Sequence, residues 1–372
     1  MNVLDLQDKF GYLLYPIALL YAEAMRLRRR FIKSYSPPIP TISVGNIAWG
    51  GTGKTPITDF ILKICENHKL HACVLTRGYG GKPNSLPYLV NSDKSTPDLC
   101  GDEPLMLASK HKDACIIVDP KRVRAAKFAL SLPSFPDIFL LDDGFQHLPM
   151  GRSLNLVLLR PNDIGKQYNN VIPSGQWREG ASALAYADAF LMKIDSMDSL
   201  DALKDNIKLR LEKFNKPFFA FTLNTKKPKA VIYDSQNNLN AYLDDGISAI
   251  EYLCAKGYIL ASGVGNPQSV YSSAEKLLGI PPKKHLVYND HHQYTQQDAD
   301  NLSAENLPIL CTEKDSVKLR QFRIPNLWEL PVVPDFISYL WSNVDFESWI
   351  LPYLKATTPI IRENNHTQPS EN

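Results

Sequence analysis

Ala48-Trp49-Gly50-Gly51-Thr52-Gly53-Lys54-Thr55 is the stretch that decides how this chain is read. The apolar-leaning run Thr41-Ile42-Ser43-Val44 precedes it and a helical pattern follows. That order of strand, glycine loop and helix is the context a phosphate-binding loop requires. Its three glycines let backbone N–H groups turn inward around phosphate oxygens. The helix start aims the positive end of its dipole at the same anion. In such a loop Lys54 reaches the β/γ-phosphates and the Thr55 hydroxyl serves Mg²⁺. Ala48 stands where the strict pattern has glycine. Pro56 suits a first helical turn, which needs no backbone donor. Ile57, Phe60, Ile61 and Ile64 fall on one face, as a helix packed on a sheet demands.

Working outward, strands and helical patterns alternate from residue 39 to about 195, which predicts a P-loop-type layered α/β sheet with helices on both faces. Strands are expected at 71–76, 115–118, 138–141, 154–159 and 189–192, with a helix at 121–130. The strand 71–76 runs into the glycine loop Arg77-Gly78-Tyr79-Gly80-Gly81. Residues 82–100 read as a surface excursion with a short strand near 88–90. After a charged helical stretch at 196–215 the register changes, and short apolar runs at 218–222, 230–233, 258–261, 286–288 and 308–311 read as strands of a second unit. The expected division is an N-terminal helix at 1–35, a core at 36–215, a smaller α/β lobe at 216–355 and a disordered polar tail at 356–372.

A chain of 372 residues with 44% hydrophobic composition has ample material for a core. A net charge of +2 gives no global field of the kind a nucleic-acid binder carries. The six cysteines form no C-x-x-C pair and several lie in apolar runs, so they read as reduced core residues of a cytosolic protein without a zinc site. At the N-terminus the apolar run 10–22 is followed by Arg26, Arg28, Arg29, Arg30 and Lys33. The run is too short to span a bilayer, which takes about 20 residues. A signal peptide would carry its positive charge first. Tyrosines among leucines beside an arginine cluster predict an amphipathic helix at an anionic lipid surface, against the plainer reading of a helix packed on the protein itself.

Four further groups carry candidate chemistry. Asp142 and Asp143 end the strand 138–141, where a P-loop protein holds Mg²⁺ beside the strand that feeds the loop. Asp102 and Glu103 open a helix with Pro104 just inside it; an aspartate there caps the helix or faces the ligand crevice of the sheet. Asp290-His291-His292 pairs an acid with imidazoles suited to proton handling. Arg178-Glu179 is either a phosphate clamp or a surface ion pair. Met192-Lys193-Ile194-Asp195 is only weakly similar to the guanine-reading motif of GTPases, and its asparagine is absent.

Taken together, these pieces resemble the tetraacyldisaccharide 4'-kinase family of lipid A biosynthesis. The resemblance rests on Val44-Gly45-Asn46, the loop 50–56, Thr76-Arg77-Gly78-Tyr79-Gly80, Gly101-Asp102-Glu103-Pro104 and Asp142-Asp143-Gly144-Phe145-Gln146-His147. It continues through Gly263-Val264-Gly265-Asn266-Pro267, Asp290-His291-His292 and Thr312-Glu313-Lys314-Asp315. It implies transfer of the ATP γ-phosphate to the 4'-hydroxyl of a tetraacyldisaccharide 1-phosphate. The place implied is the cytoplasmic face of the bacterial inner membrane, with no nucleic acid and no protein partner. By the same resemblance Asp102 is the catalytic base paired with His291, or with its neighbour His292. Lys54 acts on the phosphates, and Thr55 and Asp142 serve Mg²⁺. Glu103, Asp143 and His147 lie near the phosphates, and Arg178 and Glu179 position the nucleotide. Trp177 and Gly180 stand where the family usually has leucine and proline around Arg-Glu. Two other readings are a soluble P-loop kinase of a small metabolite and a nucleotide-gated membrane-binding module.

Overall fold

The strand that feeds the glycine loop is the middle of a nine-stranded sheet. In a computed structural model of the chain, residues 3–50, 52–231 and 248–356 are described. Gly51, the end of the expected strand 230–233 and the tail from 357 lie outside them. In chain order the strands are β1 (Thr41–Asn46), β2 (Ala72–Thr76), β3 (Tyr88–Leu89), β4 (Cys115–Val118), β5 (Ile138–Asp142), β6 (Leu154–Leu159) and β7 (Ala189–Lys193). There follow β8 (Phe218–Thr225), β9 (Lys229–Ala230), β10 (Ile259–Ser262), β11 (Lys284–Val287), β12 (Ile309–Thr312), β13 (Leu327–Leu330) and β14 (Val332–Leu340).

The large sheet runs β14-β8-β7-β6-β1-β5-β2-β4-β3, parallel except for β3 and β14 at its two edges. All of β1, β2, β4 and β6 is buried, because helices cover both faces. Parallel strands buried on both faces read as continuous apolar runs, which is why they were legible. β1 and β6 are neighbours, and the chain runs from β1 to β2 on one side of the sheet and from β6 to β7 on the other; such a switch is where these sheets open a ligand crevice at their carboxyl ends.

A second sheet, β11-β10-β12-β13-β9, forms the smaller lobe. Sheet pairing divides the chain otherwise than the boundary expected near 215. β8 pairs in parallel with β7, and β14 returns antiparallel along β8, so both belong to the large sheet. Packing gives the reason. Phe219 and Phe221 are fully buried in one core layer with Phe346 of the helix Phe346–Leu354, while Phe218 and Ala220 are buried in the opposite layer. No strand is expected at 327–340 from sequence; Pro334 sits there in an edge strand, the place in a sheet where proline is tolerated.

The N-terminal helix, Val3–Phe31, lies against the core along a narrow line. Gln7 donates to the carbonyls of Pro173 and Gly175, and a side chain at Gly11 would meet Ser174 O at 2.6 Å. Ala18 and Arg29 are buried, whereas Tyr12, Leu13, Ile17, Leu19 and Leu20 are exposed. Among the described residues, no helix is long and apolar enough to cross a membrane.

Candidate active site

The loop after β1 turns into the helix Lys54–Asn67 through Gly53, whose φ of 88° is the left-handed conformation that favours glycine. Ile57, Ile61 and Ile64 are buried beneath it, as their spacing predicts. A short segment from 176 to 178 pairs with the start of the loop. Ala48 bridges Trp177, Trp49 N donates to Gln176 O at 3.0 Å, and Arg178 N donates to Ile47 O at 2.8 Å. Trp177 is fully buried, with its indole N–H on Asp163 at 3.1 Å. The larger residue therefore occupies a core position, and it leaves Arg178 free to face the loop.

Asn46, at the end of β1, accepts from Lys54 Nζ and from Arg178, each at 3.3 Å, and donates to Ala48 O at 2.6 Å. Arg178 also donates to Gln146 at 3.0 Å and to Asp143 at 3.2 Å, and Lys54 Nζ lies 3.6 Å from Asp143. Lysine and arginine thus converge on one carboxylate beside the loop. Burial alone would raise Asp143, but the two cations outweigh it and hold the carboxyl below its ordinary value. Asp142, at the end of β5, accepts from Thr76 at 2.9 Å. Burial, and after it the charge of Glu103, push it up to about 6.

Thr52, Gly53, Lys54 and Thr55 line a cleft of about 1130 Å³ together with Glu103 and Lys314. The ends of β7 and β8 and the lobe helix Pro267–Leu278 close its other sides. That volume exceeds the usual range for small-ligand sites, as a cleft between two units does. Thr52 Oγ1 is buried in it without a partner.

The helix Asp102–Lys110 carries the first acid pair to the lobe. Gly101, not Asp102, is its cap; Asp102 Oδ1 accepts from Glu103 N at 2.9 Å, and Oδ2 faces the lobe. His291 Nδ1 meets that oxygen at 3.2 Å, bridging 189 positions of sequence. His292 is excluded as the partner: it pairs with Asp298 at 3.1 Å and stacks on Tyr288. Two lysines of the lobe helix Glu313–Leu319 complete the group. Lys314 Nζ lies 3.2 Å from His291 Nε2, 3.3 Å from Glu103 and 3.8 Å from Asp102. Lys318 is buried, 3.8 Å from Asp102, and donates to His292 O at 3.1 Å.

Two expected site residues have other surroundings. Glu179 is buried in a bidentate pair with Arg29 of the N-terminal helix, at 2.7 and 2.9 Å. Its carboxylate is turned away from the loop, because successive residues of an extended segment point to opposite sides and Arg178 takes the loop side. His147 does not line the cleft. Burial, and then Arg122, Arg152 and Arg28, push its imidazole down to about 4, and its Nε2 is buried without a partner. Arg122 keeps a buried, unpartnered Nε as well. The loop that carries His147 is held from behind. Arg152 donates to Gly144 O at 2.8 Å and to His147 O at 2.7 Å, and Arg29 donates to Phe145 O at 3.2 Å.

Sequence reading left Asn46, Gln146 and Lys314 inside motifs without a role, and missed Arg29, Arg122 and Lys318. Only Asn46, Gln146 and Lys314 carried a signal, as members of the quoted motifs.

A family profile described as Tetraacyldisaccharide-1-P 4'-kinase matches residues 10–353. A tetraacyldisaccharide 4'-kinase of Nitratidesulfovibrio vulgaris is 40% identical over 354 residues, covering 94% of this chain and 96% of that one. One of Oleidesulfovibrio alaskensis is 40% identical over 345 residues, covering 92% of each. Among solved structures, the "apo" form of LpxK from Aquifex aeolicus in complex with ATP superposes with a TM-score of 0.68 at 24% identity, over 93% of this chain and 99% of that one. That last likeness speaks for the fold alone.

Proposed function

The chain belongs to the tetraacyldisaccharide-1-P 4'-kinase family and is an ATP-dependent lipid A 4'-kinase, and from that premise we propose how its residues divide the work. The β/γ-phosphates of ATP sit on the loop 48–55, with Lys54 and Arg178 on their charge. Asp102 takes the proton of the 4'-hydroxyl as that oxygen attacks the γ-phosphorus. The contact between His291 and Asp102 carries this reading, because it joins an acid and an imidazole, the pair that proton transfer needs, next to the cleft residues Glu103 and Lys314.

Mg²⁺ fits the residues present. Among the described residues no three His, Cys, Asp or Glu side chains gather as a closed metal site. Magnesium asks for less: one or two carboxylates, with substrate phosphates and water supplying the rest. Thr55 and Asp142 would hold it, and the burial and the Glu103 charge that push Asp142 up to about 6 are what a cation would offset. When bound it neutralises charge on the transferring group.

The unpartnered Nε of Arg122, on which the charges of Asp142 and Asp143 act, and the unpartnered Nε2 of His147 suit the anionic headgroup of the acceptor. The N-terminal helix lies in the lipid interface at the cytoplasmic face of the inner membrane. Support comes from Leu13, Ile17 and Leu20, exposed on one face, and from Arg28 and Arg30 in the last turn. Replacing those three apolar residues with asparagine should abolish flotation with anionic vesicles; unchanged flotation would remove the interface role.

One experiment tests the reaction. The chain is incubated with γ-labelled ATP and the detergent-dispersed disaccharide 1-phosphate. Label is expected in the lipid, and none with Lys54→Ala. A wild-type chain that binds ATP yet leaves the lipid unlabelled overturns the reading.

A further inference from the structure

Lys314 belongs to no helix-capping or core contact that would account for it. Its ammonium lies at hydrogen-bond distance from His291 Nε2 and from Glu103, at 3.2 and 3.3 Å, and 3.8 Å from Asp102. The groups around His291 come from three elements. Asp102 meets it from the helix Asp102–Lys110 and Lys314 from the lobe helix, while Glu103 pairs with Lys314 and Lys318 lies beside Asp102. The ring of Tyr79, from the loop after β2, lies 5.5 Å away. Its sequence neighbour Asp290 is 4.0 Å from Lys314.

A lysine ammonium has three donors and no acceptor. At Nε2 it therefore needs a lone pair to donate to, so Nε2 carries no proton. The neutral ring then has its proton on Nδ1, and Nδ1 donates to Asp102 Oδ2. An imidazolium would set an N–H of its own against the ammonium, two cations with no acceptor between them.

Resting on the assignment of Asp102 as the base, we infer that Lys314 is a positioning residue, which holds His291 as the neutral Nδ1–H tautomer aimed at Asp102. His291 then orients the base and accepts no proton itself. In the transfer the 4'-oxygen bonds to the γ-phosphorus, the bond to the β–γ bridging oxygen breaks and ADP leaves. The hydroxyl proton goes to Asp102. Because His291 and Lys314 both come from the lobe while Asp102 comes from the core, docking of the lobe delivers the orienter and the group that fixes its tautomer in one step.

Nitrogen-15 spectra of the full chain labelled at histidine test this, with His291 assigned by its loss in His291→Gln. The wild type should show a protonated Nδ1 and a bare Nε2. In Lys314→Met that pattern should be lost, with kcat down roughly 10–100-fold, a part of what a positioned base contributes, and KM for ATP within about twofold. Lys314→Arg, which also offers only donors, should restore much of both. In a His291→Gln background Lys314→Met should add little, because the two act as one unit. A wild-type His291 protonated at Nε2, or a Lys314→Met enzyme with unchanged spectrum and unchanged kcat, overturns the inference. The spectrum needs no turnover. Should Asp102→Asn keep near-wild-type turnover, the base assignment falls, while the tautomer still judges Lys314.

Discussion

Two elements are joined to the core sheet beside the phosphate loop, and they are joined by different chemistry. The N-terminal helix is held at its end by one guanidinium. Arg29 pairs with both oxygens of Glu179, donates to Phe145 O and lies over the rings of Phe145 and Tyr186, with both charged side chains at 5% exposure or less. The lobe is held by separate lysines. Lys314, Lys318 and Lys110 reach Asp102, Glu103 and Glu313 at 2.8 to 3.8 Å, and Lys314 and Lys110 remain partly open to solvent. A planar fork closed off from water is specific and costly to break. Point charges on flexible stems can be released one at a time and rehydrated. The first joint suits an element that stays; the second suits one that must part to release product.

Asp102→Asn should separate chemistry from attachment most sharply. Turnover should fall roughly 10²–10⁴-fold, with the melting temperature little changed, since the amide can still meet the lobe. A large drop in melting temperature would make Asp102 a structural part of the joint.

Arg29→Met should be the most destabilising single change at either joint, by about 3–5 kcal/mol, because Glu179 would be left buried and unpaired. Adding Glu179→Met should recover much of that in denaturant unfolding. If the single change costs no more than an exposed pair does, the dry joint is not what it looks like.

His111, at the far end of the helix Asp102–Lys110, ties pH to the lobe joint alone. Its ring bridges Asp59 at 2.7 Å and Glu66 at 2.6 Å, and Asp59 also holds Lys110, which reaches Glu313 of the lobe. Burial alone would lower this histidine, but the two carboxylates outweigh it and raise it above 6.5. A raised value in the folded state means that the contribution is complete below the unfolded value of about 6.5 and is lost as pH rises through the folded one. His111→Gln should therefore cost about 1–3 kcal/mol at pH 6 and distinctly less at high pH. A cost that is flat with pH would sink this. The Arg29 joint should show no such slope, since arginine stays charged.

Salt should give the smallest effect. Between 0.1 and 1 M the screening length falls from about 10 to about 3 Å, so amide exchange at 290–292 and 312–318 should quicken a few-fold. Exchange at 26–31 and 177–180 should not. Equal acceleration at both would erase the distinction between the joints.

The contrast also explains what could be read from the chain. β1, β2, β4, β5, β6 and β7 were legible as apolar runs because both of their faces are covered. The phosphate loop was legible because its glycines, lysine and threonine are contiguous. Arg29 was not, since it stands among Arg26, Arg28 and Arg30, and nothing in the order of a basic cluster says which member turns inward. Glu179 was misread for the complementary reason: its partner lies 150 positions away. His291 could be told from His292 only by geometry, because a left-handed φ of 59° at His291 sends two neighbouring rings to different partners. The strand β8 was assigned to the wrong sheet because an apolar run carries no label for the neighbour it pairs with.

Thr225 and Val332 are register partners on adjacent antiparallel strands, so the chain leaves the large sheet for the lobe and returns to it at one spot. Topologically the whole of 226–331 is the loop of a β-hairpin, grown to the size of a folded unit. Among its described residues no strand belongs to the main sheet. The lobe can tilt about its paired stems, or diverge in sequence, while the pairing of the nine strands beneath it is left as it was.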